Sequence, residues 1–300
     1  MQIIFTKTEK QRLDKFLTEK FSQLSRSYWQ KEIKKRNILV NQQTVTPHHF
    51  LKNGDTIDIN VAPEKITTPK IWPLKIVAES DNFLIINKPA GLTVHRTHNN
   101  STEYTLADML LARWPILKSV GENHLRPGIV HRLDKEVSGV MIIAKNNTAF
   151  WHLKKQFKNR QIKKIYLGLV YGQMPDLSGK IDFKITRSSR SGKMVARPSN
   201  QIGKDALTEY EVIRSNQHYS YLKITPHTGR THQIRLHLAA LGHPLVGEYL
   251  HIPKKLKRFK NIDRIFLHAY SLGFYDLTNN WQEYKVPLPT NLKKILNSLL

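Results

Sequence analysis

Residues 63–73 read PEKITTPKIWP and hold three prolines, Pro63, Pro69 and Pro73. Proline fixes φ and removes an amide donor, so neither a helix interior nor a central strand runs through such a stretch. The segment reads as an extended linker. It divides the chain into a first part, 1–62, and a larger second part, 74–300. Each part then has to build its own core.

The two parts share one sign of charge. The first carries eleven Lys and Arg against six Asp and Glu, and the rest carries 37 against 17. Over 300 residues the excess is +25. A field of that size attracts a polyanion, so nucleic acid or an anionic membrane face leads the partner classes. The apolar fraction, 40%, is enough for packed cores. No stretch approaches the ~20 apolar residues of a spanning helix. The first apolar run covers only residues 3–5, too short for the core of a signal peptide. The expectation is therefore no membrane association. There is no Cys, which excludes disulfides, thiol nucleophiles and Cys-ligated zinc. That fits a reducing, cytoplasmic setting.

In the first part, Leu13, Phe16, Leu17 and Phe21 fall on one helical face over 11–21. Ser25 or Ser27 can cap a second helix that runs to about Arg36. That helix puts Tyr28, Trp29 and Ile33 on one side and Lys31, Lys34, Lys35 and Arg36 elsewhere. A short strand follows in ILVN at 38–41, then a turn at Asn53-Gly54-Asp55 and a strand over 56–61. In the second part, strands are expected over 74–78, 83–87, 129–131, 140–144, 165–171, 207–213 and 219–225. Helices are expected over 104–114 and 149–159. This order has no βαβ regularity. The fold class is α+β, with a mixed, mostly antiparallel sheet and flanking helices.

The chemistry concentrates in PGIVHRLDKEVSGVMIIAK, residues 127–145. Two apolar runs, read as strands, bracket a polar loop. A loop held between buried strands can present a side chain that is both exposed and rigid. Asp134 lies there beside Arg132 and Lys135. Nearby cations favour the carboxylate, and an ionised carboxylate suits nucleophilic attack or anchoring of a cationic intermediate. A lone turn aspartate more often does no more than bond its own backbone.

The longer text narrows this choice. HRLDKEVSGVMIIAK closely resembles the aspartate motif of the RluA-type RNA pseudouridine synthases. NKPAGLTVH at 87–95, KKIYLGLVYG at 163–172 and TGRTHQIRLHLAALGHPLVGEYLH at 228–251 accompany it in the family's order. In the first part, RLDKFL, SRSYWQKEIKKRNILVN and NGDTIDI together resemble an S4 RNA-binding domain. The expected organisation is an S4-like domain at 1–62, a linker at 63–73 and a pseudouridine synthase domain at 74–300.

The resemblance implies a reaction. Uracil leaves C1′ of a chosen uridine, turns, and is reattached through C5, with no metal or organic cofactor. Asp134 matches the family's essential aspartate, either attacking C1′ or abstracting the 2′ proton. Tyr166 matches the tyrosine that stacks on the target base. Arg235 matches the arginine expected to pair with the aspartate, for which a guanidinium offers two hydrogen bonds. Arg230 is the competing choice, with phosphate binding as its other role. His131 and Arg132 either support a flipped-out base or bind phosphate. Lys31, Lys34, Lys35 and Arg36 would grip structured RNA through phosphates. The chain carries Glu136-Val137 where many relatives have Asp-Thr.

Two basic segments are further candidates for RNA contact: a loop at 187–198 and the run KKLKRFKNIDR at 254–264. His227, His232, His237 and His243 raise a metal-dependent hydrolase as an alternative. Their separations of five, five and six do not give a helical metal pair. The substrate branch leans to large-subunit ribosomal RNA, with transfer RNA as the alternative. A non-catalytic S4-type RNA-binding or ribosome-assembly protein is the remaining alternative. Nothing in the sequence calls for a protein partner.

Overall fold

The computed structural model describes residues 1–21, 24, 26–61, 74–96, 103–252 and 264–300. The proline-containing segment 63–73, Ser25 and all of the basic run but Arg264 lie outside the described residues. The chain separates into two compact units.

In the first unit, helices Leu13–Lys20 and Arg26–Lys34 accompany a four-stranded antiparallel sheet in the order Gln2–Ile4, Thr56–Ile59, Ile38–Val40, Gln43–Thr44. Phe5, Leu13, Phe16, Leu17, Trp29 and Ile33 are buried together with Ile38, Val40, Ile57 and Ile59. The apolar faces read from sequence meet here because both helices put their 3.6-residue stripes against one sheet face. Asp14 is also fully buried. Burial alone would raise its pKa. Hydrogen bonds from Gln30, Arg12 and Arg26 outweigh that and hold it at about 2. Lys31, Lys34, Lys35 and Arg36 are all exposed. Arg36 ends its helix at φ 64, its N–H bonding the carbonyl of Ile33 while that of Asn37 bonds Glu32. That is a Schellman stop, with arginine where glycine is usual.

The second unit is built on a nine-stranded sheet among the described residues. Its order is Ser178–Ile181, Thr208–Ser215, Tyr219–Pro226, Lys163–Tyr171, Leu267–Tyr275, Ser138–Ala144, Phe83–Lys88, Lys75–Glu79. Trp281–Lys285 also pairs with Leu267–Tyr275. Every pairing is antiparallel except Leu267–Tyr275 with Ser138–Ala144. Ser138–Ala144 is buried at every position, which is why SGVMIIA is a continuous apolar run and does not alternate. At the parallel pairing, Gly139 has φ 128, and a Cβ there would lie 2.2 Å from the carbonyl oxygen of Ala269. Only glycine lets these two strands meet.

Helix Asn147–Lys158 starts on an Asn146 cap, whose Oδ1 accepts from Ala149 N at 2.9 Å. It buries Phe150 and Leu153 in the main core. Two sequence readings need correction. Residues 129–131 form no strand, and Ile129 makes only a single bridge to Ile143. The basic segment 187–198 is largely a hairpin, Lys184–Arg187 paired with Met194–Arg197. Ile185, Met194 and Ala196 hold it against Leu236 and Ala206. Among the described residues no helix is long and apolar enough to cross a membrane.

Candidate active site

The loop that carries Asp134 leads directly into the buried strand Ser138–Ala144 and is tied down along its length. Val137 N donates to Asp134 O at 3.1 Å. The carbonyl of Lys135 accepts from Gly91 N at 2.7 Å and from Lys88 Nζ at 3.2 Å. Lys88 is fully buried, and its ammonium also donates to the carbonyls of Pro89 at 2.9 Å and Leu92 at 2.7 Å. Burial, with Arg264 nearby, pulls its pKa down to about 7. Filling three carbonyls needs the three N–H donors of an ammonium, which a neutral amine lacks. The NKPAG segment thus clamps the aspartate loop from beneath. At the far end, Ser138 Oγ lies 2.8 Å from both Arg264 Nη2 and His268 Nδ1.

Asp134, Tyr166 and Arg235 all line one cleft of about 610 Å³. That volume suits a nucleotide-sized group. Tyr166 lies on Lys163–Tyr171 beside an irregularity in the pairing with Leu267–Tyr275, between Ile165 and Tyr166. The extra residue of this bulge is Tyr270, on the facing strand, so Lys163–Tyr171 keeps its regular alternation through Tyr166. Burial, and then the Asp134 charge, push the Tyr166 phenol up, so it stays protonated.

Arg235 lies in the first turn of helix Gln233–Ala240 and is 1% exposed. The expected two-point bond to Asp134 goes elsewhere. Nε and Nη2 bond Glu248 at 2.7 and 2.9 Å. Nη1 lies 3.6 Å from Asp134 Oδ2 and 3.7 Å from Glu136 Oε2, and among the described residues it has no hydrogen-bond partner. Glu248 is itself fully buried. Its Oε1 also accepts from the backbone N–H groups of Tyr249, Leu250 and His251. Burial alone would raise the Glu248 pKa, but these bonds and the Arg235 charge bring it to about 2. Glu136 is held in turn by Tyr249, whose hydroxyl donates to Oε1 at 2.7 Å. Arg235 is therefore fixed by one carboxylate and directs its remaining nitrogen toward two others.

The remaining sequence candidates separate. Arg132 is exposed and Arg230 half-buried, and both line the cleft. Arg230 Nε also donates to Asp205 O at 3.0 Å. His131 lines the cleft as an uncharged brace. Its Nε2 accepts from Ile142 N at 3.1 Å, its ring stacks on Phe157 at 4.7 Å, and burial lowers its pKa to about 3. It carries no charge for a phosphate. The four histidines of the metal alternative face separate partners: Glu209, His251, Phe183 O and Tyr171 O. Among the described residues no group of three His, Asp or Glu is placed to hold a metal.

Three residues that sequence reasoning passed over matter here. Glu248 orients Arg235, Lys88 clamps the loop, and Lys164 lines the cleft two positions from Tyr166, on the same face of its strand. Lysines and arginines, Arg126, Lys158 and Lys164 among them, crowd the cleft wall, and Asp134 is the one carboxylate among the described lining residues. Such a wall would hold an anionic substrate beside a single carboxylate.

Comparisons with known proteins agree with this geometry. A family model of RNA pseudouridylate synthases matches residues 82–240, and an S4 domain model matches residues 11–57. An uncharacterized RNA pseudouridine synthase of Aquifex aeolicus is 38% identical over 303 residues, covering 97% of this chain and 94% of its own length. Ribosomal large subunit pseudouridine synthase D of Xanthomonas campestris is 35% identical over 305 residues, covering 96% of this chain and 88% of its own. Among solved structures, human RNA pseudouridylate synthase domain containing 1 superposes with a TM-score of 0.58 at 30% identity. The superposition covers 72% of this chain and 84% of that one. With its S4 domain and its cation-lined cleft, the chain belongs to the RNA pseudouridine synthase family and is an RNA-modifying isomerase.

Proposed function

We propose that the chain forms pseudouridine in large-subunit ribosomal RNA, with Asp134 as the group that acts on the ribose. The observation that carries this reading is the convergence of Asp134, Tyr166 and Arg235 in one cleft lined by cations. A uridine stacked in a helix cannot reach such a cleft, so the target base enters flipped out or from a loop. Tyr166 offers the uracil a flat face, and its protonated hydroxyl serves as a donor. Asp134 then either bonds to C1′ as uracil leaves or takes the 2′ proton. Both routes need an ionised carboxylate, and Arg235 Nη1 at 3.6 Å supplies a fixed positive charge beside it. Rotation and reattachment through C5 release the C5 hydrogen as a proton. The ribosomal assignment draws on the relatives named ribosomal large subunit pseudouridine synthase D and C. The exposed cations Lys31, Lys34, Lys35 and Arg36 of the S4 unit suit docking on structured RNA.

Tritium release provides the test. Unmodified transcripts labelled at uracil C5 are incubated with the protein, one set from large-subunit ribosomal RNA and one from transfer RNAs. Release from the ribosomal transcripts is expected. Release from transfer RNA alone would move the substrate to that class.

A further inference from the structure

We propose that His95 is a substrate-contacting residue, hydrogen-bonding an uncharged polar group of the RNA, a ribose hydroxyl or a base edge. His95 closes the NKPAGLTVH segment. Its backbone neighbours are fixed: the carbonyls of Thr93 and Val94 accept from Leu106 N and Ala107 N at 2.9 and 3.0 Å, at the start of helix Leu106–Arg113. The side chain is 2% exposed yet lines the cleft. Among the described residues neither Nδ1 nor Nε2 has a hydrogen-bond partner.

That combination is unusual. Buried polar atoms are nearly always paired, and an unpaired one costs stability. Other histidines of this wall and core keep at least one partner: His131 accepts from a backbone amide, His268 uses both ring nitrogens, His237 leaves Nδ1 unpaired but bonds the Phe183 carbonyl through Nε2, and His227 Nε2 lies 2.9 Å from Glu209. A leucine at position 95 would leave no polar atom unpaired in this buried place. Histidine there is explained when the missing partner arrives with the substrate.

The surroundings choose the kind of partner. Burial, then Arg126 and Arg132, hold the His95 pKa at about 4. The ring is uncharged at neutral pH and offers one donor and one acceptor. The two arginines take the phosphate role, so the imidazole is left for an uncharged group. Ribose hydroxyls and base edges both donate and accept.

The inference rests on RNA being modified in this cleft, so its test does not depend on the ribosomal assignment. C5-tritiated total RNA from cells lacking the protein supplies every substrate class. The full chain and its His95→Leu and His95→Gln variants are compared by tritium release and by thermal melting. His95→Leu is expected to lower kcat/KM about tenfold to a hundredfold, the worth of one hydrogen bond to a buried partner, while Tm stays level or rises. His95→Gln, which keeps a donor and an acceptor, should recover part of the loss. Unchanged kcat/KM in His95→Leu would overturn the proposal. A lowered Tm with activity lost in both variants would also overturn it, as the mark of a structural residue. A synthetic substrate with 2′-deoxy nucleotides flanking the target separates the two groups. If wild type loses on it what His95→Leu loses on RNA, the partner is a ribose hydroxyl. An undiminished wild-type rate assigns a base edge.

Discussion

Asp134→Asn is expected to stop pseudouridine formation and to leave the fold intact. The substitution keeps the size of the side chain and removes its charge and basicity. An amide can neither bond to C1′ nor take the 2′ proton, so turnover should fall by a factor on the order of 10³ or more. The fold has little reason to change. The side chain is 17% exposed, and its ion-pair contact is the 3.6 Å approach of Arg235 Nη1. The loop is held through its backbone, by Lys88 and Gly91 on the Lys135 carbonyl. Stability should stay within about 1 kcal/mol of wild type. Tritium release and a thermal melt on the same preparation check both halves. Retained turnover would remove Asp134 from its role.

Glu248→Gln should do the opposite, damaging the fold and the site together. Glu248 and Arg235 form a two-bond pair with side chains 0% and 1% exposed. Removing one charge leaves the other buried without compensation, which costs roughly 3–5 kcal/mol when a partner is lost. The glutamine keeps one acceptor, so the lower end of that range is expected. Arg235 is then free to swing toward Asp134 or Glu136, and activity should fall with stability. The acid dependence should change as well. The Glu248 pKa is depressed in the folded protein, to about 2 from an ordinary 4.5. Its stabilisation is therefore present above about pH 4.5 and is lost as pH falls toward 2. Chemical denaturation across that window should show a shallower acid loss in Glu248→Gln than in wild type. Equal slopes would mean that the pair contributes little.

Much of the architecture was legible because it is local. Phe150, Leu153 and Phe157 at helical spacing marked a helix over 149–159, which forms as Asn147–Lys158, and the apolar run at 140–144 marked a strand, which forms as Ser138–Ala144 and is buried throughout. The hairpin of Lys184–Arg187 and Met194–Arg197 was hidden by its arginines. Its signal was slight: Met194 and Ala196 alternate and, with Ile185, seat against Leu236 on a helix about forty residues further on. Ile129 and Val130 imitate the start of a strand, but only Ile129 finds a neighbour, in one bridge.

The site was legible only as motifs. Asp134, Tyr166 and Arg235 were named by resemblance, while the bonds that position them are tertiary. Lys88 reaches Lys135 across 47 positions, and Arg235 takes Glu248, thirteen residues on, as its main partner. Charge alone could not foresee that choice, since Asp134, Glu136 and Glu248 all surround the same guanidinium. What decides it is the three backbone amides that also converge on Glu248 and make it the best-solvated acceptor in a buried place.

The most direct test of the account is a pseudouridine map of large-subunit ribosomal RNA. Cells lacking the protein are compared with the same cells supplied with wild type or with Asp134→Asn. The account predicts one or more uridines that are converted in the presence of wild type and remain unconverted with the variant. A map in which Asp134→Asn restores the sites, or in which no ribosomal site depends on the protein, would contradict it.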